Sequence, residues 1–194
     1  MKLAALFVAL FFAITTFGQG FVNFANTPTT LILTNDTAFG TSGPMEGFNA
    51  YRIGLYVGPL GTPGSSLTLI GLATNSPAPF RGRFNGGTPY SLPGYAAGTP
   101  ITFQIRAWDS SAGPTWESAL VGADAFNNGG FMRGASALGF VTPTDGLSVV
   151  PDLFGTAAGQ VQGFTLAIPI PEPSTWALSA LAVLAVYFRI KRCG

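Results

Sequence analysis

Apolar and polar residues alternate most sharply over residues 101–108. There Ile101, Phe103, Ile105 and Ala107 fall on one face of an extended chain, with Thr102, Gln104, Arg106 and Trp108 on the other. Residues 51–57 alternate in the same way and set Ile53, Leu55 and Val57 against Arg52, Gly54 and Tyr56. Shorter strand-like runs at 21–25, 30–33, 67–73, 139–141 and 163–168 are separated by Gly, Pro, Asn and Thr, which end strands and start turns. With 50–57 and 101–108, these runs predict an all-β fold, an antiparallel β-sandwich-like domain. One short helix is expected over 116–125. Two longer apolar runs without alternation lie at the ends, over 3–14 and 176–188.

Composition sharpens this picture. Only 9% of the residues are charged, while 47% are hydrophobic and 13% aromatic, so there is apolar surface enough to offset chain entropy. With 26 glycines and 15 prolines, elements are short and turns frequent. The formal charge of +1 conceals a division: between Gln19 and Ile170, five arginines stand against seven acidic residues, a net of −2. No basic stripe exists, and a nucleic-acid partner is not expected. There is no histidine, and the single cysteine, Cys193, is the penultimate residue. The middle of the chain therefore has no disulfide, no Ser-His or Cys-His nucleophile in its usual form, and no imidazole for zinc.

The N-terminus has the three parts of a secretory signal: a positive Lys2, an apolar run over 3–14, and the small residues Thr16 and Gly18. The run is short for a membrane span, which needs about 20 residues. Removal of residues 1–18 is expected, with a buried N-terminal helix as the alternative. At the other end, Pro171-Glu172-Pro173 forms an extended segment poor in hydrogen bonds that an enzyme can grip. An apolar stretch follows within a transmembrane segment at 175–190, opened by Trp176, an interfacial residue type. Arg189, Lys191 and Arg192 at 189–192 then hold the end on the cytoplasmic side. The apolar stretch is near the lower limit for spanning, so Arg189 must snorkel. The alternative is a plain anchor in which the prolines are only a spacer.

This tail resembles the PEP-CTERM sorting signal, matched at Pro171, Glu172 and Pro173 and at Arg189, Lys191 and Arg192. The resemblance implies a substrate of exosortase, an integral-membrane cysteine protease-like enzyme of Gram-negative bacteria that make exopolysaccharide. It implies a chain that is exported, anchored in the inner membrane before processing, and afterwards at the cell surface or extracellular. The segments 85–94, 106–109 and 114–117 also resemble a recurring pattern of secreted PEP-CTERM proteins without assigned function. The organisation expected is a signal peptide at 1–18, a β-rich extracellular domain at 19–168 and a sorting signal at 169–194.

The middle offers few chemical groups. Asp109 and Glu117 flank two tryptophans, a composition that glycosidases use. The structural alternative pairs Glu117 with Arg106 across the turn and half-buries Trp108 and Trp116 in the sheet. Trp108, Trp116, Tyr90 and Tyr95 are candidate glycan contacts, should they be exposed on the β-surface. Asn35, Asp36, Asp109 and Asp145 carry oxygen ligands, but in no calcium-loop spacing, so no metal site is assigned. Asn35-Asp36-Thr37 fits a glycosylation sequon. The expected function is non-enzymatic, a structural or interaction role at the surface without a cofactor. The expected partners are the secretion translocon, the processing enzyme, the membrane through the tail and the exopolysaccharide. A carbohydrate-binding or adhesive module is the first alternative, and a glycan-active enzyme using Asp109 and Glu117 is the second.

Overall fold

The two segments of sharpest alternation pair with each other along their whole length. Strand β4 (Tyr51–Pro59) runs antiparallel to β7 (Ile101–Asp109), from Tyr51 opposite Asp109 to Pro59 opposite Ile101. The far edge of β4 carries β5 (Thr68–Thr74), with a register shift between Leu55 and Tyr56. The far edge of β7 is shared by β8 (Arg133–Ala135) and β9 (Gly139–Val141). Beyond β8 the sheet continues through β10 (Thr165–Ala167), β2 (Leu33–Asn35) and β3 (Gly43–Pro44). The computed structural model describes residues 18–35, 42–121 and 131–168. Residues 1–17 of the expected signal peptide, Asp36, the expected helix end at 122–125 and the sorting tail lie outside the described residues.

A smaller second sheet covers this one. It consists of β1 (Gln19–Val22) antiparallel to β6 (Tyr90–Ala96). Val22 and Leu92 from the small sheet meet Ile53, Leu55, Phe103 and Ile105 from the large one, and all are buried. Phe24 lies edge-on to Phe84 at 5.1 Å and to Tyr90 at 5.6 Å, and Phe84 edge-on to Phe154 at 5.7 Å. Such geometries add about 0.5–1.5 kcal/mol per pair beyond the area they bury. The architecture is the expected all-β sandwich-like one, with layers of unequal size.

Three strands among the described residues were not legible in the apolar pattern, β3, β6 and β8, and β2 shares only Leu33 with the expected run at 30–33. β6 contains Pro93 and Gly94, which weaken a strand by themselves, but its partner β1 leaves the other edge open and proline is tolerated there. β8 has no apolar run; Gly134 lets the β10 backbone at Thr165 approach closely, where any Cβ would collide. One pairing departs from the antiparallel expectation, because β10 lies parallel to β2. β10 is inserted between β8, to which it runs antiparallel, and β2, which is far away in sequence, so no hairpin ties the direction of one to that of the other.

The register also fixes where the chain enters and leaves. Gln19 pairs with Ala96 at the end of β6, close before Ile101 begins β7. β10 finishes at the opposite end of the large sheet, where Ala167 lies beside Asn35 and Arg133, and where β7 ends next to the start of β4. The first and last strands therefore direct the two termini to opposite ends of the domain.

Candidate functional site

Alternation predicts that one face of β7 is buried, yet both are. Trp108 has 0% exposure and Arg106 9%, and both belong to the face opposite Phe103 and Ile105. The cause is a second apolar cluster on the outer side of the large sheet, built from Tyr56, Leu67, Trp108 and Ala119 with Leu69, Ala112 and Trp116 against them. Gly54 makes room for it. A Cβ there would stand 2.8 Å from the Tyr56 ring, 3.0 Å from Leu69 and 3.2 Å from the Trp108 indole.

The lid of this cluster follows β7 directly. Asp109 Oδ1 accepts hydrogen bonds from the Ser111 N–H at 2.8 Å and from its hydroxyl at 2.6 Å, capping a 3-10 turn over Ser110–Ala112. Helix α1 (Trp116–Val121) then begins behind Thr115, whose hydroxyl accepts from the Ser118 N–H at 3.2 Å. Trp116 is set edge-on to Trp108, with centroids 6.3 Å apart. The Trp108 indole N–H donates to the Gly113 carbonyl at 3.1 Å, so the ring is both buried and satisfied.

Arg106 is held without a carboxylate. Its guanidinium lies 4.1 Å from the Tyr56 ring centroid and 5.7 Å from that of Trp116. Nε donates to Gln104 Oε1 at 3.0 Å, and Nη2 donates to the Gly64 carbonyl. The expected Arg106–Glu117 pair does not form. Glu117 sits exposed in the first turn of α1, and the ion pair found among the described residues is Arg81–Glu46, 3.0 Å apart on the surface. A guanidinium stacked on aromatic faces loses less hydration than an ammonium would, which makes this a stable place for arginine.

The four candidate glycan contacts all have packing roles. Trp108 offers no face to a ligand, contrary to the expectation of an exposed aromatic, because α1 and the turn before it cover that side of the sheet. Trp116 is half-buried against Trp108 and Arg106. The Tyr90 hydroxyl donates to the Ile70 carbonyl at 2.7 Å and that of Tyr95 to the Val57 carbonyl at 3.1 Å, each tying the small sheet to the large one. Asp109 is engaged as a cap. Asp145 is a turn former: its Oδ1 accepts from the Ser148 and Leu147 N–H groups, and these bonds, that of Ser148 first, hold its carboxyl below the ordinary value. Among the described residues no three His, Cys, Asp or Glu side chains gather as a metal-binding group. A groove of about 330 Å³ along β2 and β10, lined by Leu31, Leu33, Phe164 and Thr165 among others, contains no charged side chain.

Tyr56 supplies a test of the cluster. Its hydroxyl is buried without a well-formed hydrogen bond, its nearest polar neighbours being the Trp116 backbone and the Arg106 guanidinium. Burial, and after it the charge of Glu117, raises the phenol above its ordinary value of 10.0, with Arg106 opposing. A tyrosine whose folded pKa is raised contributes fully below the unfolded pKa, and that contribution is lost as pH rises through the folded one. Tyr56→Phe keeps the ring beneath Arg106 and removes the poorly bonded oxygen. Stability at neutral pH is expected to stay level or rise by up to about 1 kcal/mol. The loss of stability above about pH 10 should become shallower. Urea melts of both proteins at pH 7 and pH 10.5 measure this; a clear loss at pH 7 would show that the hydroxyl has a structural partner.

The C-terminal exit completes the picture. β10 ends at Ala167, and Ile168 still packs on the main core. Only residues 169 and 170 separate it from Pro171. Pro171, Glu172, Pro173, the apolar segment 175–190 and the basic end Arg189, Lys191 and Arg192 lie outside the described residues. Among the described residues no helix is long and apolar enough to cross a membrane. In sequence, residues 169–192 match the PEP-CTERM protein-sorting motif. No curated protein and no solved structure matches the chain. The chain thus carries a PEP-CTERM sorting motif directly behind its β-domain, and the motif supports export and sorting to the cell surface by an exosortase.

Proposed function

We propose that this is a non-enzymatic surface protein whose β-domain is the cargo and whose tail is the address. The signal peptide at 1–18 takes the chain through the secretion translocon, and the segment 175–190 holds it in the inner membrane. An exosortase cuts near Pro171–Pro173, leaving the β-domain at the cell surface or in the exopolysaccharide matrix, where it has a structural or interaction role. The observation that carries this reading is the sorting motif beginning at residue 169, directly after Ile168, the last of the described residues and one that packs on the core. A non-enzymatic role is supported by the use of Asp109 as a cap and by the burial of Trp108 and Arg106.

The test is expression of the full chain in a host that carries an exosortase and in the same host lacking it, with intact-mass analysis of membrane and extracellular fractions. A product running from near Gln19 to near Pro171, formed only when the enzyme is present, is the expected result. A full-length membrane-held chain in both hosts would reduce the tail to a plain anchor.

A further inference from the structure

Residues 82–87 lie along the chain that leaves β1, in a short ladder of their own. Asn26, which is buried, holds one end: its Nδ2 donates to the Gly82 carbonyl at 2.9 Å, and its Oδ1 accepts from the Phe84 N–H at 2.9 Å. Asn85 then bridges antiparallel to Ala25. Beyond it the Gly86 N–H donates to the Phe24 carbonyl at 2.8 Å, and the Phe24 N–H donates to the Gly87 carbonyl at 2.9 Å. Gly86 packs so closely on the Phe24 ring that a Cβ would collide with it. Asn85 itself is exposed, and its Oδ1 accepts from the Gly87 N–H at 2.9 Å, closing an Asx turn.

Asn85-Gly86 is a sequence prone to deamidation, since glycine leaves its backbone nitrogen unshielded beside a labile side-chain amide. The reaction joins Gly86 N to Asn85 Cγ and breaks the Cγ–Nδ2 bond, and the Gly86 amide proton leaves with the side-chain nitrogen as ammonia. Water then opens the succinimide at either carbonyl to give aspartate or isoaspartate, with no change in oxidation state. The two reacting groups stand in opposite conditions here. The Gly87 N–H polarises the Asn85 amide carbonyl toward attack, whereas the Gly86 N–H is committed to Phe24 and keeps its proton. We propose that Asn85 is a deamidation site latched by the Phe24–Gly86 hydrogen bond, converting when the chain after β1 lifts from residues 82–87. The conversion is one-way. Ammonia is lost, and isoaspartate puts an extra methylene into the main chain where Gly86 has no room against Phe24. Either product also adds a negative charge to a domain that is already net negative. The latch belongs to the β-domain itself and operates whether or not the tail is cut.

The experiment keeps the full chain in mild detergent at about pH 8.5 and 37 °C, with and without guanidinium chloride. Peptide mapping over days reads aspartate and isoaspartate at position 85. Conversion in native buffer is expected to be at least about tenfold slower than in denaturant, because only molecules opened at this ladder react. Phe24→Leu keeps an apolar side chain but loses the edge-on contacts with Phe84 and Tyr90. It should raise the native rate several-fold in a sample that circular dichroism shows to be folded, and the comparison of native buffer with denaturant decides alone if this variant does not fold. Equal rates in the two buffers would overturn the latch, and no conversion at position 85 in denaturant would overturn the site. A native rate unmoved in folded Phe24→Leu would overturn the assignment of the latch to Phe24.

Discussion

Ile105→Asp is expected to leave the β-domain unfolded at neutral pH and room temperature. Ile105 is wholly buried in the centre of β7, opposite Leu55 of β4. Its backbone is engaged on the other edge, where its N–H donates to Ser136 Oγ at 3.1 Å and its carbonyl accepts from the Ser136 N–H at 2.8 Å. The position offers no cation, since Arg106 is directed to the outer face and Arg133 donates to the Ala119 carbonyl. An unpaired carboxylate there must stay ionised without water or take up a proton, and the apolar contacts of the isoleucine are lost in either case. The combined loss is about 5 kcal/mol or more, comparable with the whole stability of a domain of this size. Circular dichroism and a urea melt of residues 19–168 check it. A cooperative transition close to that of the parent would mean that β7 does not run through the core.

The second large effect lies outside the fold. Glu172→Ala is expected to leave the melt of the β-domain unchanged, because the residue belongs to the sorting motif that begins after Ile168, beyond the described β-domain. In a host with an exosortase, the full-length membrane-held form should accumulate. A hydrogen bond to a charged group contributes about 1.5–3 kcal/mol, so losing one from the recognised motif slows processing by roughly 10- to 100-fold. Pulse-chase with intact-mass detection reads the rate. Processing at the parent rate would show that the glutamate is not recognised, and that the prolines act only as a spacer.

Most of what was legible in the sequence is local. The alternation over 51–57 and 101–108 located the two central strands, because a residue's side of a strand is set by chain geometry alone. The short helix behind Pro114 was also legible in position, since capping is a matter of neighbouring residues. The sorting tail is the extreme case: proline, a carboxylate, an apolar run and a basic end in that order constitute the signal without any tertiary contact. The absence of histidine and of any internal cysteine was decisive in the same way, because no fold can supply a side chain that is missing.

What burial makes of each face was decided only in three dimensions. The strand pattern places Arg106 and Trp108 on a polar face, yet α1 and the turn at 110–112 fold over it, and Gly54, far away in sequence but opposite Arg106 on the neighbouring strand, clears the space that Trp108 fills. Arg106 consequently takes aromatic rings and a carbonyl instead of Glu117, because the buried partners reach it and the exposed carboxylate does not. β6 with its Pro93, and β8 with its Gly134, are strands only because a neighbour supplies the ladder. The exit of β10 opposite the entry of β1 likewise follows from long-range register, which no window of neighbouring residues contains.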